Sequence, residues 1–207
     1  MQSLEETEFF DGNPLMQVFA YGSLMWRPGF VPKAAVRATA IGWSRRWCVG
    51  STVHRGTRDN PGVVLGLVEG GSCAGLLYSV ESCECSRVAE YLELREMAEV
   101  GYSPSVIDVE TLGGRTRALT YVSERRHRLA HNPERVRERI LSARGVSGSN
   151  ADYAIRTFDA VRELGAGLDE PETGLPIEIL STIWKSGVIR AATEMNSVER
   201  TQAAELA

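Results

Sequence analysis

The chain is short of positive charge, cysteine, histidine and long apolar runs, and each shortage removes a class of function. Lys and Arg number 23 against 27 Asp and Glu, a net charge of −4 with a pI near 5.5. A general nucleic-acid binder concentrates basic charge, so no nucleic-acid partner is expected. Only Lys33 and Lys185 are lysine and the remaining basic residues are arginine, which is read as coding bias. Met1 to Pro14 carries Glu5, Glu6, Glu8 and Asp11 and no basic residue, the reverse of a secretory signal. The longest apolar stretch, Leu15 to Trp26, is broken at Gln17 and at Tyr21-Gly22-Ser23. It falls short of the roughly 20 residues that cross a bilayer. A cytoplasmic protein with no membrane partner is expected.

The four cysteines, Cys48, Cys73, Cys83 and Cys85, form no second pair at zinc-site spacing. Cys83-Glu84-Cys85 is therefore read as ordinary thiols. Of the three histidines, His127 and His131 have the spacing of a helical metal pair. They lack the accompanying glutamate and lie among Arg125, Arg126 and Arg128, so they read as a solvated basic loop. His54 sits alone in a glycine-rich loop and supports no triad. No metal is expected. There is no P-loop and no dinucleotide glycine fingerprint. Gly71-Ser72-Cys73-Ala74-Gly75 resembles a nucleophile elbow, with its serine one place off.

What remains is a globular composition, 43% hydrophobic and 24% charged over 207 residues, the length of one domain. Leu15 to Ala20 reads as a strand stopped by Gly22, and Val36 to Gly50 holds further strand material. Ser51 to Gly62 is a turn-rich loop. Val63 to Val68 and Ala74 to Val80 read as two strands separated by Gly70-Gly71-Ser72. Ser82 to Glu99 has helical periodicity. Val106 to Leu112 and Arg117 to Val122 suggest a hairpin across Gly113-Gly114. Asn132-Pro133-Glu134 opens a helix to about Ala143, ended by Gly145. A second helix runs from Ser149 or Asn150 to about Leu164, and a third from Leu175 to Lys185. Strands dominate early and helices late, without regular alternation. The expected class is α+β with a closed or nearly closed barrel. The expected layout is an acidic segment over 1–14, a single domain over 15–187 and a tail over 188–207.

Two places suggest chemistry. Tyr21-Gly22-Ser23-Leu24 follows a strand directly, and glycine there lets the backbone turn tightly. Such a turn is either a simple strand-to-loop connection or a set of amides that hold a carboxylate or an oxyanion. In the Ser82 to Glu99 helix, Val88, Ala89, Tyr91 and Leu92 share a face. One turn on, the same stripe carries Arg95, Glu96 and Glu99. These charges mark either the helix leaving the core or a carboxylate placed beside a cavity. Position alone does not choose between Glu96 and Glu99.

Taken together, these segments resemble the ChaC family, the glutathione-directed γ-glutamylcyclotransferases. Val18 to Phe30, with Tyr21-Gly22-Ser23-Leu24-Met25-Trp26-Arg27-Pro28 inside it, is similar to the family's opening motif. Gly50-Ser51-Thr52-Val53-His54-Arg55-Gly56-Thr57 with Pro61-Gly62 is similar to its second block. Tyr91-Leu92-Glu93-Leu94-Arg95-Glu96-Met97 with Gly101-Tyr102 resembles the segment bearing its catalytic glutamate, in the form of the bacterial branch. Gly148-Ser149-Asn150-Ala151-Asp152-Tyr153 with Leu164-Gly165 is similar to its C-terminal helix. Val63 stands where the family usually has a basic residue, and Ala98-Glu99-Val100 also departs from the pattern.

The resemblance implies a β-barrel with surrounding helices and a cavity at its mouth. The implied reaction is cleavage of glutathione to 5-oxoproline and cysteinylglycine without a cofactor. It selects Glu96 over Glu99 as general base and acid. It assigns substrate binding to Tyr21, Gly22, Ser23 and Leu24, with Asn150 and Tyr153 from the C-terminal match. Arg55 is assigned to the glycine carboxylate on charge. The alternatives are a cyclotransferase for other γ-glutamyl amines or peptides, and a non-catalytic γ-glutamyl-binding regulator. Oligomeric state is left open.

Overall fold

The computed structural model describes residues 15–97, 101–124 and 132–165. Five strands form a closed barrel in the order β1-β3-β2-β4-β5. They are β1 (Leu15–Ala20), β2 (Ala34–Ser51), β3 (Gly62–Glu81), β4 (Tyr102–Thr111) and β5 (Gly114–Ser123). The ladder is antiparallel except where β1 meets β5 in parallel, at Val18 opposite Leu119, and closes the ring. Around it lie α1 (Cys85–Glu96), α2 (Pro133–Ser142) and α3 (Asn150–Glu163). A two-residue hairpin, β6 (Arg144–Gly145) and β7 (Gly148–Ser149), joins the last two helices.

The two strands expected over 63–68 and 74–80 are one continuous 20-residue strand, β3. Gly70 and Gly71 read as a turn, and both do take positive φ, 100° and 76°. Opposite them Gly42 also has positive φ, 80°, and the register with β2 shifts between Ile41 and Trp43. The glycines therefore bend a paired ladder instead of ending it. Such a bulge adds the twist and curvature that a small barrel needs to close.

Side chains alternate across a strand, and β1 is covered on both sides. Phe19 and Val18 are both fully buried, Phe19 in the cluster shared with α2 and α3 and Val18 in the layer that packs against α1. The helix contributes Val88 and Leu92 to that layer. Each such side chain stabilises by about 1.5–3 kcal/mol. The expected helix over 82–99 is shorter: Ser82–Glu84 forms a single 3₁₀ turn and α1 ends at Glu96.

The later helices start where their caps predict. Asn132 accepts the Arg135 N–H with Pro133 behind it, and Ser149 accepts the Asp152 N–H. Gly145 does not end α2, whose cap is Ala143. It lies in the hairpin, which docks on the loop through Val146 N–H to Val53 O (2.9 Å) and Ser147 N–H to His54 O (3.0 Å). A Cβ at Gly145 would stand 2.2 Å from Val53 O, so only glycine permits this approach. The acidic segment, the 127–131 loop, Glu99, the 175–185 helix and the tail lie outside the described residues.

Candidate active site

The end of β1 delivers Tyr21, Gly22 and a single 3₁₀ turn, Ser23–Met25, to the barrel surface beside α1. The turn's own bonding begins with Met25 N–H to Gly22 O at 3.0 Å. The N–H groups that open such a turn have no partner inside it. A Cβ at Gly22 would lie 3.4 Å from Tyr153 Oη, so Gly22 and Tyr153 face each other across a narrow space.

Across this space stands Glu96, the last residue of α1, with its side chain 17% exposed. Burial pushes its carboxyl above the usual glutamate value, and the adjacent Arg95 guanidinium only partly offsets that. Its place at the helix C-terminus, where the backbone dipole disfavours an anion, acts in the same direction. Arg95 Nε lies 3.1 Å from Glu96 Oε1. The other nitrogens of Arg95 donate to Arg27 O (2.6 Å), Tyr91 Oη (2.8 Å) and Ser23 Oγ (2.9 Å). One arginine thus ties the end of α1 to the loop after β1.

Glu96 lies where two cavities meet. A small recess of about 30 Å³ is lined by Tyr21, Gly22, Ser23 and Leu24 together with Thr120 and Tyr121. A larger cavity of about 270 Å³ opens past Trp26, Arg27, His54, Arg55 and Ser147. Ser23, Glu96, Tyr102 and Tyr153 line both.

The tyrosine hydroxyls differ in what they have left to offer. Tyr21 donates to Tyr121 O at 2.7 Å, and Tyr102 donates to Leu65 O. Both protons are spent on carbonyls, leaving lone pairs. Tyr153 Oη instead accepts the Leu65 N–H at 3.3 Å, and among the described residues no acceptor takes its proton. Burial raises all three phenols, Tyr21 and Tyr102 well above the ordinary value and Tyr153 to about 12. They remain protonated through the neutral range.

The start of α3 positions Tyr153. Asn150 and Tyr153, three apart on one helix face, meet Val63 and Leu65, two apart on one strand face. Asn150 is fully buried and spends its amide on Val63: Oδ1 accepts the N–H at 2.7 Å and Nδ2 donates to the C=O at 2.8 Å. It lines neither cavity, so it holds the wall in place instead of facing a ligand. Arg55 does line the larger cavity, with its side chain only 6% exposed. One of its nitrogens, Nη1, donates to Ser149 O (3.1 Å) and Asp152 Oδ2 (3.3 Å), and the guanidinium lies over the Trp26 and Tyr153 rings.

The structure therefore brings Tyr21 to Leu24, Glu96, Tyr153 and Arg55 together and leaves Asn150 behind them. Sequence reasoning gave no role to Arg95, Tyr102, Arg27 or Trp26, although all four stand inside the quoted motifs. Arg95 carried a usable signal, being a charge on the apolar stripe next to Glu96. The contact between His54 Nδ1 and Ser147 Oγ, 3.0 Å, joins residues 93 apart and has no local signature.

This geometry can be set beside known proteins. A family model described as ChaC-like protein matches residues 16–175. The human protein called glutathione-specific gamma-glutamylcyclotransferase 1 is 30% identical over 182 residues, covering 84% of this chain and 82% of its own. The Escherichia coli glutathione-specific gamma-glutamylcyclotransferase is also 30% identical, over 84% of this chain and 78% of its own. A crystal structure of a yeast gamma-glutamyl cyclotransferase specific to glutathione superposes with a TM-score of 0.73 at 22% identity, over 84% of this chain and 97% of that one. That likeness shows the fold.

Proposed function

The chain belongs to the ChaC-like protein family, and we infer that it is a γ-glutamylcyclotransferase that cleaves glutathione to 5-oxoproline and cysteinylglycine. The observation that carries the site assignment is the position of Glu96. It is a largely buried carboxylate with a raised pKa, at the junction of a small polar recess and a larger cavity.

In this reading the α-amine of the γ-glutamyl group attacks its own γ-carbonyl. Nucleophile and electrophile are tethered, so the protein need only hold the folded conformer. The α-ammonium must shed a proton before attack, and the cysteinyl nitrogen must gain one to leave. Glu96 takes the first and supplies the second, a double duty that a carboxyl with a pKa moved toward neutrality suits. Arg95 limits how far that pKa rises and fixes the carboxylate's orientation. Tyr21 and Tyr102, with only lone pairs to offer, suit the substrate's amine. The free proton of Tyr153 and the amides of Ser23 and Leu24 suit oxygen that gains charge as the ring closes. Asn150 acts through Val63 and α3, as a positioning residue.

The same reading takes 15–187 as one catalytic domain working in the cytoplasm on a free small molecule, without nucleic acid or membrane. It is supported by the acidic net charge. Among the described residues no helix is long and apolar enough to cross a membrane. Purified protein incubated with glutathione should release 5-oxoproline. Release from other γ-glutamyl amines but not from glutathione would overturn the substrate. Binding without release from any of them would overturn the enzyme reading.

A further inference from the structure

The larger cavity is lined by three arginines, Arg27, Arg55 and Arg95, and one carboxylate, Glu96. Two of the three are engaged within the protein. Arg95 is held by Ser23, Tyr91, the Arg27 carbonyl and Glu96. Arg55 is held by Asp152 and the Ser149 carbonyl, and Asp152 also takes Arg156 at 3.0 Å. Arg27 differs. Its backbone is pinned, N–H to Ser23 O at 2.9 Å and carbonyl to Arg95. Its side chain is exposed at the cavity's edge, and among the described residues its guanidinium meets no carboxylate.

A pinned backbone carrying a guanidinium that no described carboxylate meets, at a cavity rim, suits an anion from outside. Resting on the function proposed above, the substrate supplies one. With the scissile carbonyl beside Glu96, the leaving dipeptide extends about 7 Å along the larger cavity and ends in a carboxylate. We propose that Arg27 binds the terminal carboxylate of the leaving group and so sets the preference for a carboxylate-ended γ-glutamyl peptide over a neutral γ-glutamyl amine. This moves the role from Arg55, which is buried and held through Nη1 by Asp152 and the Ser149 carbonyl. Arg55 instead braces the aromatic wall of Trp26 and Tyr153. His54 and Ser147, joined by their mutual hydrogen bond, belong to the same lining.

The test compares glutathione with its glycine-amidated analogue, on wild type, Arg27→Gln and Arg27→Lys. Wild type should prefer glutathione by about ten-fold or more in kcat/KM, the scale of a charge-assisted hydrogen bond. Arg27→Gln should raise KM for glutathione by a similar factor with kcat within about two-fold, the pattern of lost uniform binding. It should also erase the preference, and Arg27→Lys should restore part of it. The proposal is overturned if wild type cleaves both substrates equally well, or if Arg27→Gln keeps the full preference. In either case turnover of glutathione leaves the functional reading standing. No turnover of either substrate by wild type would overturn both together.

Discussion

At the scale of single residues, Glu96 and Arg95 act as one unit. Burial raises the Glu96 carboxyl, and the guanidinium at 3.1 Å holds the rise in check. In the proposed mechanism the base form of Glu96 starts the reaction, so activity should climb with pH along a limb whose midpoint lies above 4.5, the ordinary carboxyl value. Arg95→Gln removes the restraint and should move that limb to higher pH, as read from kcat/KM against pH on folded protein. An unmoved limb would mean that Arg95 only ties the loop to α1. Much of this was legible in the residues, because an apolar stripe that turns charged at its end is visible in Val88, Leu92, Arg95 and Glu96. The choice between Glu96 and Glu99 was not, since both share the face; it rested on the Arg-Glu-Met resemblance. The availability of the Tyr153 proton was also invisible. It depends on the Leu65 N–H, which a neighbouring strand supplies.

At the scale of elements, caps and turns were the legible part. Asn132-Pro133 and Ser149 start their helices, and the β4–β5 hairpin pairs Thr111 with Gly114 as its glycines suggest. Glycine misled where its freedom serves curvature: Gly70-Gly71 bends β3 without breaking it. Asn150 shows why a site residue and a scaffold residue look alike in sequence. Both are fixed polar groups in a motif, and only the coordinates show Val63 taking both ends of the amide. Asn150→Ala should leave a buried N–H and C=O unmet, at about 1–3 kcal/mol each. A large fall in melting temperature is expected, with KM of the folded fraction little changed. A raised KM with wild-type stability would instead make Asn150 a binding residue.

At the scale of the whole molecule, the site costs the fold some stability. A carboxyl whose pKa is raised by folding is stabilising while protonated. That contribution is present below the ordinary carboxyl value and is lost as pH rises through the raised one. Glutamine imitates the protonated form. The melting temperature of Glu96→Gln minus that of wild type should therefore increase with pH from 4.5 upward, then level off. A difference independent of pH would mean that Glu96 is not held in a disfavoured state. The barrel makes this tolerable, because its closed ladder and the buried layer under α1 fix the helix end independently of Glu96. Closure itself was legible only as a class, from strands followed by helices; the parallel β1–β5 seam had no local signal. The central claim is that one carboxylate moves the proton for ring closure and for departure of the leaving group. It is tested most directly by 5-oxoproline release from glutathione by Glu96→Gln beside wild type, both checked for folding by melting. Wild type should turn over, and the variant should fold as well at neutral pH while losing at least about 10²–10⁴-fold in rate. A folded variant that keeps more than about a tenth of wild-type turnover would contradict the account.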